Sequence, residues 1–171
     1  LFQSALSKSN SQEKSNLNSL IAAAYTEKGD YDLALKNIDD AIDRTSKQGF
    51  KFQKAVIYQR MDRHQDAISL LSELLENGAY NREVLAHRAT SYMATNQHDN
   101  AREDYEKLRE FHPDAIGIYL NLAEIAEAKS QSAEALKNYE LYLKYADPES
   151  APAEDLRRVQ TRVKQLQGGT P

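Results

Sequence analysis

Residues 82–115, REVLAHRATSYMATNQHDNAREDYEKLREFHPDA, contain one copy of a pattern that recurs about every 34 residues along the chain, a period typical of helical repeat proteins. One column of the pattern is alanine, and it comprises Ala34, Ala67, Ala101 and Ala135. A second alanine column precedes the first at the same distance in every copy, and it comprises Ala22, Ala55, Ala89 and Ala123. Tyrosine follows the second column by one helical turn in the first three copies, at Tyr25, Tyr58 and Tyr92. Such columns in one register predict a repeat protein whose copies pack only on their neighbours.

Each copy predicts two amphipathic helices separated by a short break. In the first copy the break contains Gly29, which can adopt the left-handed conformation that ends a helix. The later breaks fall at Asp62-Arg63, Thr95-Asn96 and Ser130-Gln131. Two helices approach closely only where their contact residues are small. One alanine of each column is therefore expected to meet the other inside each hairpin, as Ala22 and Ala34 do in the first copy.

The repeat register divides the chain into segments. Four repeats are expected over residues 15–147, at about 15–47, 48–81, 82–115 and 116–147, and a linker and capping helix over 148–167. The capping helix carries one apolar stripe, Leu156, Val159, Val163 and Leu166, which is expected to pack on Leu136, Tyr139 and Leu143. Residues 1–14 are expected to be the end of a preceding repeat or a linker, and residues 168–171 a frayed tail. The first residue is leucine rather than methionine, which suggests a processed product or an excised piece.

Composition excludes several classes of protein. The chain is 40% hydrophobic and 28% charged, and its net charge is −4, so it has no basic footprint for nucleic acid. No stretch approaches the roughly 18 apolar residues of a membrane-spanning helix, so direct membrane insertion is not expected. There is no cysteine, which excludes a disulfide framework, a thiolate metal site and a cysteine nucleophile. The compartment stays open, with a slight preference for an exported or periplasmic context.

These columns resemble the tetratricopeptide repeat family over about residues 15–147. The residues of the resemblance include, besides both alanine columns, Gly29, Tyr31, Ala41, Tyr105, Pro113, Tyr119, Leu122 and Tyr139. The resemblance implies an all-α fold, a right-handed α-solenoid of helical hairpins that ends in the capping helix. Because solenoids of this family serve many unrelated pathways, the resemblance does not name a partner.

No arrangement of residues predicts catalysis, a metal site or a cofactor. The motifs of serine hydrolases, nucleotide-binding loops and zinc proteases are absent. His64 and His98 occupy equivalent positions in successive repeats, where a packing role is expected. Acidic pairs such as Glu103-Asp104 are expected to be solvated, and the stripe Tyr139, Tyr142 and Tyr145 is expected to make core and cap contacts. The chain is therefore not expected to be an enzyme.

The repeat geometry predicts that the first helices line a concave groove. The candidate partner-binding residues in it are Phe52, Gln53, Val56, Gln59, Arg60, His87, Thr90, Met93, Asn121, Glu124 and Glu127. Chaperone-binding members of the family hold a terminal carboxylate with Lys, Asn and Arg, whereas the matching positions here carry Ser19, Ala23, Gln53, Glu83 and His87. A chaperone C-terminal tail is therefore not the expected ligand, and Glu124 with Glu127 favours a peptide with Lys or Arg at that end.

The sequence thus predicts a non-catalytic module that binds a protein or peptide in the groove, as part of a larger protein or assembly. One alternative is a self-assembling scaffold, a homo-oligomer that uses its convex face or an apolar N-terminal end at Leu1-Phe2. A second alternative is an accessory region of an enzyme or exporter whose catalytic or membrane part lies outside this sequence.

Overall fold

The computed structural model describes residues 11–78, 82–149 and 151–168. In these ranges the chain forms helices joined by short turns, and their bounds are α1 (Ser11–Lys28), α2 (Tyr31–Arg44), α3 (Gln48–Arg60), α4 (His64–Glu76), α5 (Arg82–Ala94), α6 (His98–Phe111), α7 (Ile116–Ala128), α8 (Ser132–Tyr145) and α9 (Ala153–Gly168). The chain divides into two compact units between Thr95 and Asn96, called here the N-terminal and C-terminal units. The expectations for residues 1–10 and 169–171 lie outside the described residues, whereas Gly168, expected to belong to the frayed tail, is the last residue of α9.

The N-terminal boundary differs from the expectation. Helix α1 begins at Ser11, so residues 11–14 are helical rather than linker. Two polar side chains of this helix, Ser15 and Asn18, are buried. The apolar pattern therefore did not mark the beginning of the helix, because its first turns bury polar residues.

In the N-terminal unit the helices pack in the order that a repeat requires. Helix α2 contacts both α1 and α3, and α4 contacts both α3 and α5. The first helices of the repeats also contact each other, α1 with α3 and α3 with α5. Each second helix thus packs on the first helix of its own repeat and on that of the next.

Every side chain of both alanine columns has 0% exposure. Ala22 and Ala34 belong to one core cluster with Ile38 and Ile57, whereas Ala55 and Ala67 belong to the next cluster. A methyl group at each position lets neighbouring helices approach closely, which confirms the packing that the columns predict.

A second regularity lies in the turns between the two helices of each repeat. One residue in each turn has a positive φ: Gly29 at 82°, Asp62 at 56°, Asn96 at 56° and Ser130 at 57°. These four residues recur at the same intervals as the alanine columns. Glycine, asparagine and aspartate adopt this left-handed conformation more readily than most residues, and the serine shows that the repeat geometry imposes it.

In the C-terminal unit, α7 packs on α6 and α8, and α9 packs on α8. Val159 and Val163 of α9 are buried in one cluster with Tyr139 and Tyr142. Leu156 and Leu166 of α9, together with Leu136 and Leu143 of α8, are partly buried against the same cluster. The capping helix therefore docks through the stripe that the sequence predicts.

Candidate functional site

The candidate residues lie on three helices. Phe52, Gln53, Val56, Gln59 and Arg60 are on α3, and His87, Thr90 and Met93 are on α5 of the same N-terminal unit. Asn121, Glu124 and Glu127 are on α7 of the C-terminal unit. The two groups therefore belong to different compact units.

In the N-terminal unit, Gln59 and His87 form a polar bridge between α3 and α5. The Gln59 amide donates to the His87 carbonyl oxygen at 2.7 Å and to the Ser91 hydroxyl at 2.6 Å. The His87 Nδ1 atom lies 2.6 Å from Gln59 Oε1, and the His87 ring meets the Phe52 ring edge-on at 5.1 Å. Burial lowers the pKa of His87 below its ordinary 6.5, against a smaller opposing effect of Glu83. Burial thus favours the neutral imidazole of His87.

Gln53 makes the equivalent bridge between α1 and α3. Its amide donates to the Ser19 carbonyl oxygen at 2.8 Å, and its Oε1 accepts a bond from the Ser19 hydroxyl at 2.5 Å. The sequence predicted that Gln53 and Gln59 offer donors and acceptors to a ligand. Instead, these amides hold neighbouring first helices together, because each lies opposite a polar group about one repeat away.

Other side chains on this side of the unit stay open to solvent. Leu20 of α1 has 68% exposure, and Thr90 is exposed. The Arg60 side chain has 60% exposure and makes one ion pair, at 3.8 Å with the exposed Glu27. Val56 and Met93 are half-buried. We call Leu20, Val56, Arg60, Thr90 and Met93 the first-helix face of the N-terminal unit.

The acidic residues of α7 are already paired within the protein. Arg158 of α9 donates to Glu124 at 2.9 Å, and Arg162 of α9 donates to Glu127. The Tyr139 hydroxyl donates to the other oxygen of Glu127 at 2.9 Å, and burial together with this carboxylate raises the pKa of Tyr139. The expectation that Glu124 and Glu127 form a free acidic end is therefore wrong, because the capping helix supplies the arginines.

The Asn121 side chain donates to the Gly117 carbonyl oxygen of its own helix at 2.7 Å. Asp104, expected to be solvated, is buried with 1% exposure. Of the tyrosine stripe, Tyr139 and Tyr142 are buried, whereas Tyr145 is 41% exposed and stacks on Tyr119 at 5.5 Å.

The described residues offer little for metal or membrane chemistry. No group of three or more histidine, aspartate or glutamate side chains in these ranges could hold a metal ion. None of the helices described is both long and apolar enough to cross a bilayer.

The helical hairpins, the alanine contacts and the docked C-terminal helix define an all-α solenoid of the tetratricopeptide type with a capping helix. A tetratricopeptide repeat family model matches residues 87–151. No curated protein matches the sequence of this chain. The fold and the family model together confirm the resemblance to the tetratricopeptide repeat family. The tetratricopeptide fold is typical of protein–protein interaction modules.

Solved structures share the fold at low sequence identity. A crystal structure of MamA protein is 13% identical with a TM-score of 0.78, over 92% of this chain and 82% of that one. A tetratricopeptide repeat protein from Parabacteroides merdae is 16% identical with a TM-score of 0.77, over 91% of this chain and 61% of that one. The first tetratricopeptide repeat domain of Spaghetti (RPAP3), bound to the HSP90 peptide SRMEEVD, is 21% identical with a TM-score of 0.62, over 70% of this chain and 95% of that one.

Proposed function

We propose that this chain is a non-catalytic interaction module that binds a partner segment on the first-helix face of its N-terminal unit. The observation that carries the proposal is the exposure of Leu20, Arg60 and Thr90 on three first helices that contact each other in order. Packed helices present no free backbone edge, so the partner has to be recognised through side chains.

The chemistry of this face indicates what the partner segment presents. Leu20 and the half-buried Val56 and Met93 are apolar contacts, and the exposed Arg60 guanidinium, whose ion pair with Glu27 is long at 3.8 Å, can bind an acceptor of the partner. A few oriented polar groups beside an apolar surface are typical of a binding site. The partner segment therefore carries one or two apolar side chains and an acidic or carbonyl group near Arg60. A partner segment of this kind replaces the basic ligand expected from the sequence, because Glu124 and Glu127 are paired with Arg158 and Arg162.

A structural neighbour that binds a peptide supports peptide binding by this fold, but it does not support the same ligand. The Spaghetti (RPAP3) structure has the same fold and is bound to an HSP90 peptide. In this chain, the positions expected to hold a chaperone tail include Ser19 and Gln53, and these two residues bond to each other. We therefore propose that the partner segment differs from the chaperone tail.

The test is a pull-down from lysate of the source cells with the purified chain and four variants. Leu20→Asp and Arg60→Glu change the first-helix face. Leu33→Asp and Arg44→Glu are the matched controls, because both residues are exposed on the second helix α2. Circular dichroism first establishes that every variant keeps the parent's helix content.

We expect the parent and both α2 controls to retain the same specific protein, and Leu20→Asp and Arg60→Glu to lose it. Retention by all four variants would place the binding site elsewhere. Loss in the α2 controls alone would move the site to the second helices.

A further inference from the structure

The polar bridge between α3 and α5 fixes the orientation of the Gln59 amide. Its nitrogen lies 2.7 Å from the His87 carbonyl oxygen, which can only accept a hydrogen bond. The group at this end of the amide is therefore the NH₂ group, and its second hydrogen bonds to the Ser91 hydroxyl at 2.6 Å. The oxygen end of the amide, Gln59 Oε1, consequently faces the His87 ring.

The orientation of Gln59 determines which nitrogen of His87 carries the hydrogen. Gln59 Oε1 can only accept, and it lies 2.6 Å from His87 Nδ1. Nδ1 must therefore be the donor, so the neutral imidazole carries its hydrogen on Nδ1. In this tautomer Nε2 carries no hydrogen, and its lone pair is a hydrogen-bond acceptor.

The Nε2 atom of His87 is open to a ligand. It makes no hydrogen bond or ion pair within residues 11–78, 82–149 and 151–168. It is also not one of the buried polar atoms that lack a partner in these ranges, a group that includes the Nδ1 atoms of His64 and His98. The Nε2 atom of His87 is therefore accessible to solvent, and water satisfies it in the free chain.

The groups around the His87 ring favour its neutral form. Burial disfavours the imidazolium, and its effect exceeds that of Glu83, which lies about one turn earlier in α5. Helix α3 contributes two uncharged side chains, Phe52 and Gln59. Helix α4 also packs on α5, but it contributes no charge to the ring within the described part of the chain. At neutral pH the Nε2 atom therefore remains an acceptor.

We propose that His87 Nε2 is the hydrogen-bond acceptor of the N-terminal unit's binding site, and that the partner segment donates an N–H or O–H group to it. The inference rests on the proposed function and adds a specificity-determining residue to the same site. His87 precedes the exposed Thr90 by three residues, so the two lie on the same side of α5.

The site then has two polar ends of opposite kind. Arg60, which directly follows Gln59 in α3, donates to the partner, whereas His87 accepts from it. A partner segment therefore satisfies both residues in one orientation only. A carboxylate placed at His87 is rejected, because two acceptors would then face each other without a hydrogen between them.

The same geometry makes binding depend on pH. The imidazolium carries a hydrogen on both nitrogens, so protonation turns Nε2 from an acceptor into a donor. The donor of the partner then loses its acceptor. Binding should therefore weaken as the pH falls through the pKa of His87, which burial places below the ordinary 6.5.

Nuclear magnetic resonance of the chain labelled with ¹⁵N in histidine tests the tautomer and the contact together. The probe is the protein that the parent chain retains from lysate of the source cells. In the free chain at neutral pH, His87 should carry its hydrogen on Nδ1, and adding the retained protein should shift the Nε2 resonance. His98, on the second helix α6, is the control and should not shift. A hydrogen on Nε2, or an Nε2 resonance that the retained protein does not move, would overturn the inference.

Two variants separate recognition from helix packing. His87→Gln keeps an oxygen acceptor near the position of Nε2, whereas His87→Met has a similar length and no such acceptor. The Kd for the retained protein should rise about fivefold in His87→Met, as the loss of one hydrogen bond implies, and change little in His87→Gln. Lowering the pH from 7 to 5 should weaken binding by the parent more than binding by His87→Gln. Circular dichroism establishes that both variants keep the parent's helix content.

The outcomes distinguish this inference from the proposed function. If His87→Met binds the retained protein as tightly as the parent while Leu20→Asp loses it, the acceptor role of His87 is wrong and the proposed function stands. If Leu20→Asp and Arg60→Glu both bind like the parent, the proposed function fails and this inference fails with it. A parent chain that retains no protein would overturn both.

Discussion

Replacing Ala55 by leucine tests the alanine contact that sets the distance between the helices of a repeat. Ala55 has 0% exposure and shares a core cluster with Ala67, Leu71, Leu74 and Val84. Leucine adds three carbon atoms where no space is left, so α3 and α4 must separate or the side chain must leave its preferred rotamer. Overpacking of this kind costs about 1–3 kcal/mol. Helix propensity contributes little, since alanine and leucine are both strong helix formers.

A loss of this size lowers the melting temperature by roughly 2–12 °C, given about 2–4 °C per kcal/mol for a chain of this length. The measurement is thermal unfolding followed by circular dichroism. Ala133→Leu is the matched control, because Ala133 is exposed in the first turn of α8, and its melting temperature should stay close to that of the parent. An Ala55→Leu variant as stable as Ala133→Leu would refute the helix packing described here.

Two further predictions concern the cap and the polar bridge. Val159→Ala should lower the free energy of unfolding by about 2 kcal/mol, because it removes two fully buried carbon atoms and leaves a cavity. Thr161→Ala, on the exposed side of α9, is the control and should lower it little. Urea unfolding of both variants measures the difference. Burial lowers the pKa of His87 in the folded state, so its contribution to stability is present above the unfolded pKa of about 6.5 and is lost as the pH falls through the lower folded value. When the pH is lowered from 7 to 5, the urea midpoint of the parent should fall by more than the urea midpoint of His87→Gln. An equal fall in both proteins would contradict a lowered pKa of His87 in the folded state.

The fold was predictable from the sequence because one contact recurs in every repeat. A small residue is needed wherever two helices approach closely, so the positions of Ala22 and Ala34 recur at a fixed spacing and show the helix pairing directly. The capping helix was predictable for a related reason. Its apolar stripe, which includes Val159 and Val163, is narrow because only one side of the helix docks.

The chemistry of the binding surface was less predictable. Gln59 and His87 were expected to serve a ligand, yet they bond to each other because their helices lie side by side. Whether a polar side chain reaches across to the next helix depends on its rotamer, which no spacing in the sequence reveals. A usable signal was nevertheless present for Glu124, since Arg158 follows it by one repeat length and carries the opposite charge.

Apolar periodicity also overstated burial at single positions. Leu20 and Leu33 fit the helical pattern, but they are 68% and 44% exposed. The reverse holds for Asp104, which is buried although it belongs to an acidic pair. A pattern predicts which side of a helix is apolar on average, whereas the neighbouring helices decide which residues of that side are covered.

We propose that the first-helix face of the N-terminal unit contacts the partner, and site-specific photo-crosslinking tests this claim residue by residue. A photoreactive phenylalanine derivative is placed at Leu20 or Thr90 on this face, and at Leu33 or Ser69 on the second helices α2 and α4 as controls, since all four residues are exposed. After irradiation with the partner isolated by the parent chain, crosslinked product is measured by gel electrophoresis and mass spectrometry. We predict crosslinks to the partner from Leu20 and Thr90 and none from Leu33 and Ser69. Crosslinks from the second-helix positions alone would contradict the claim.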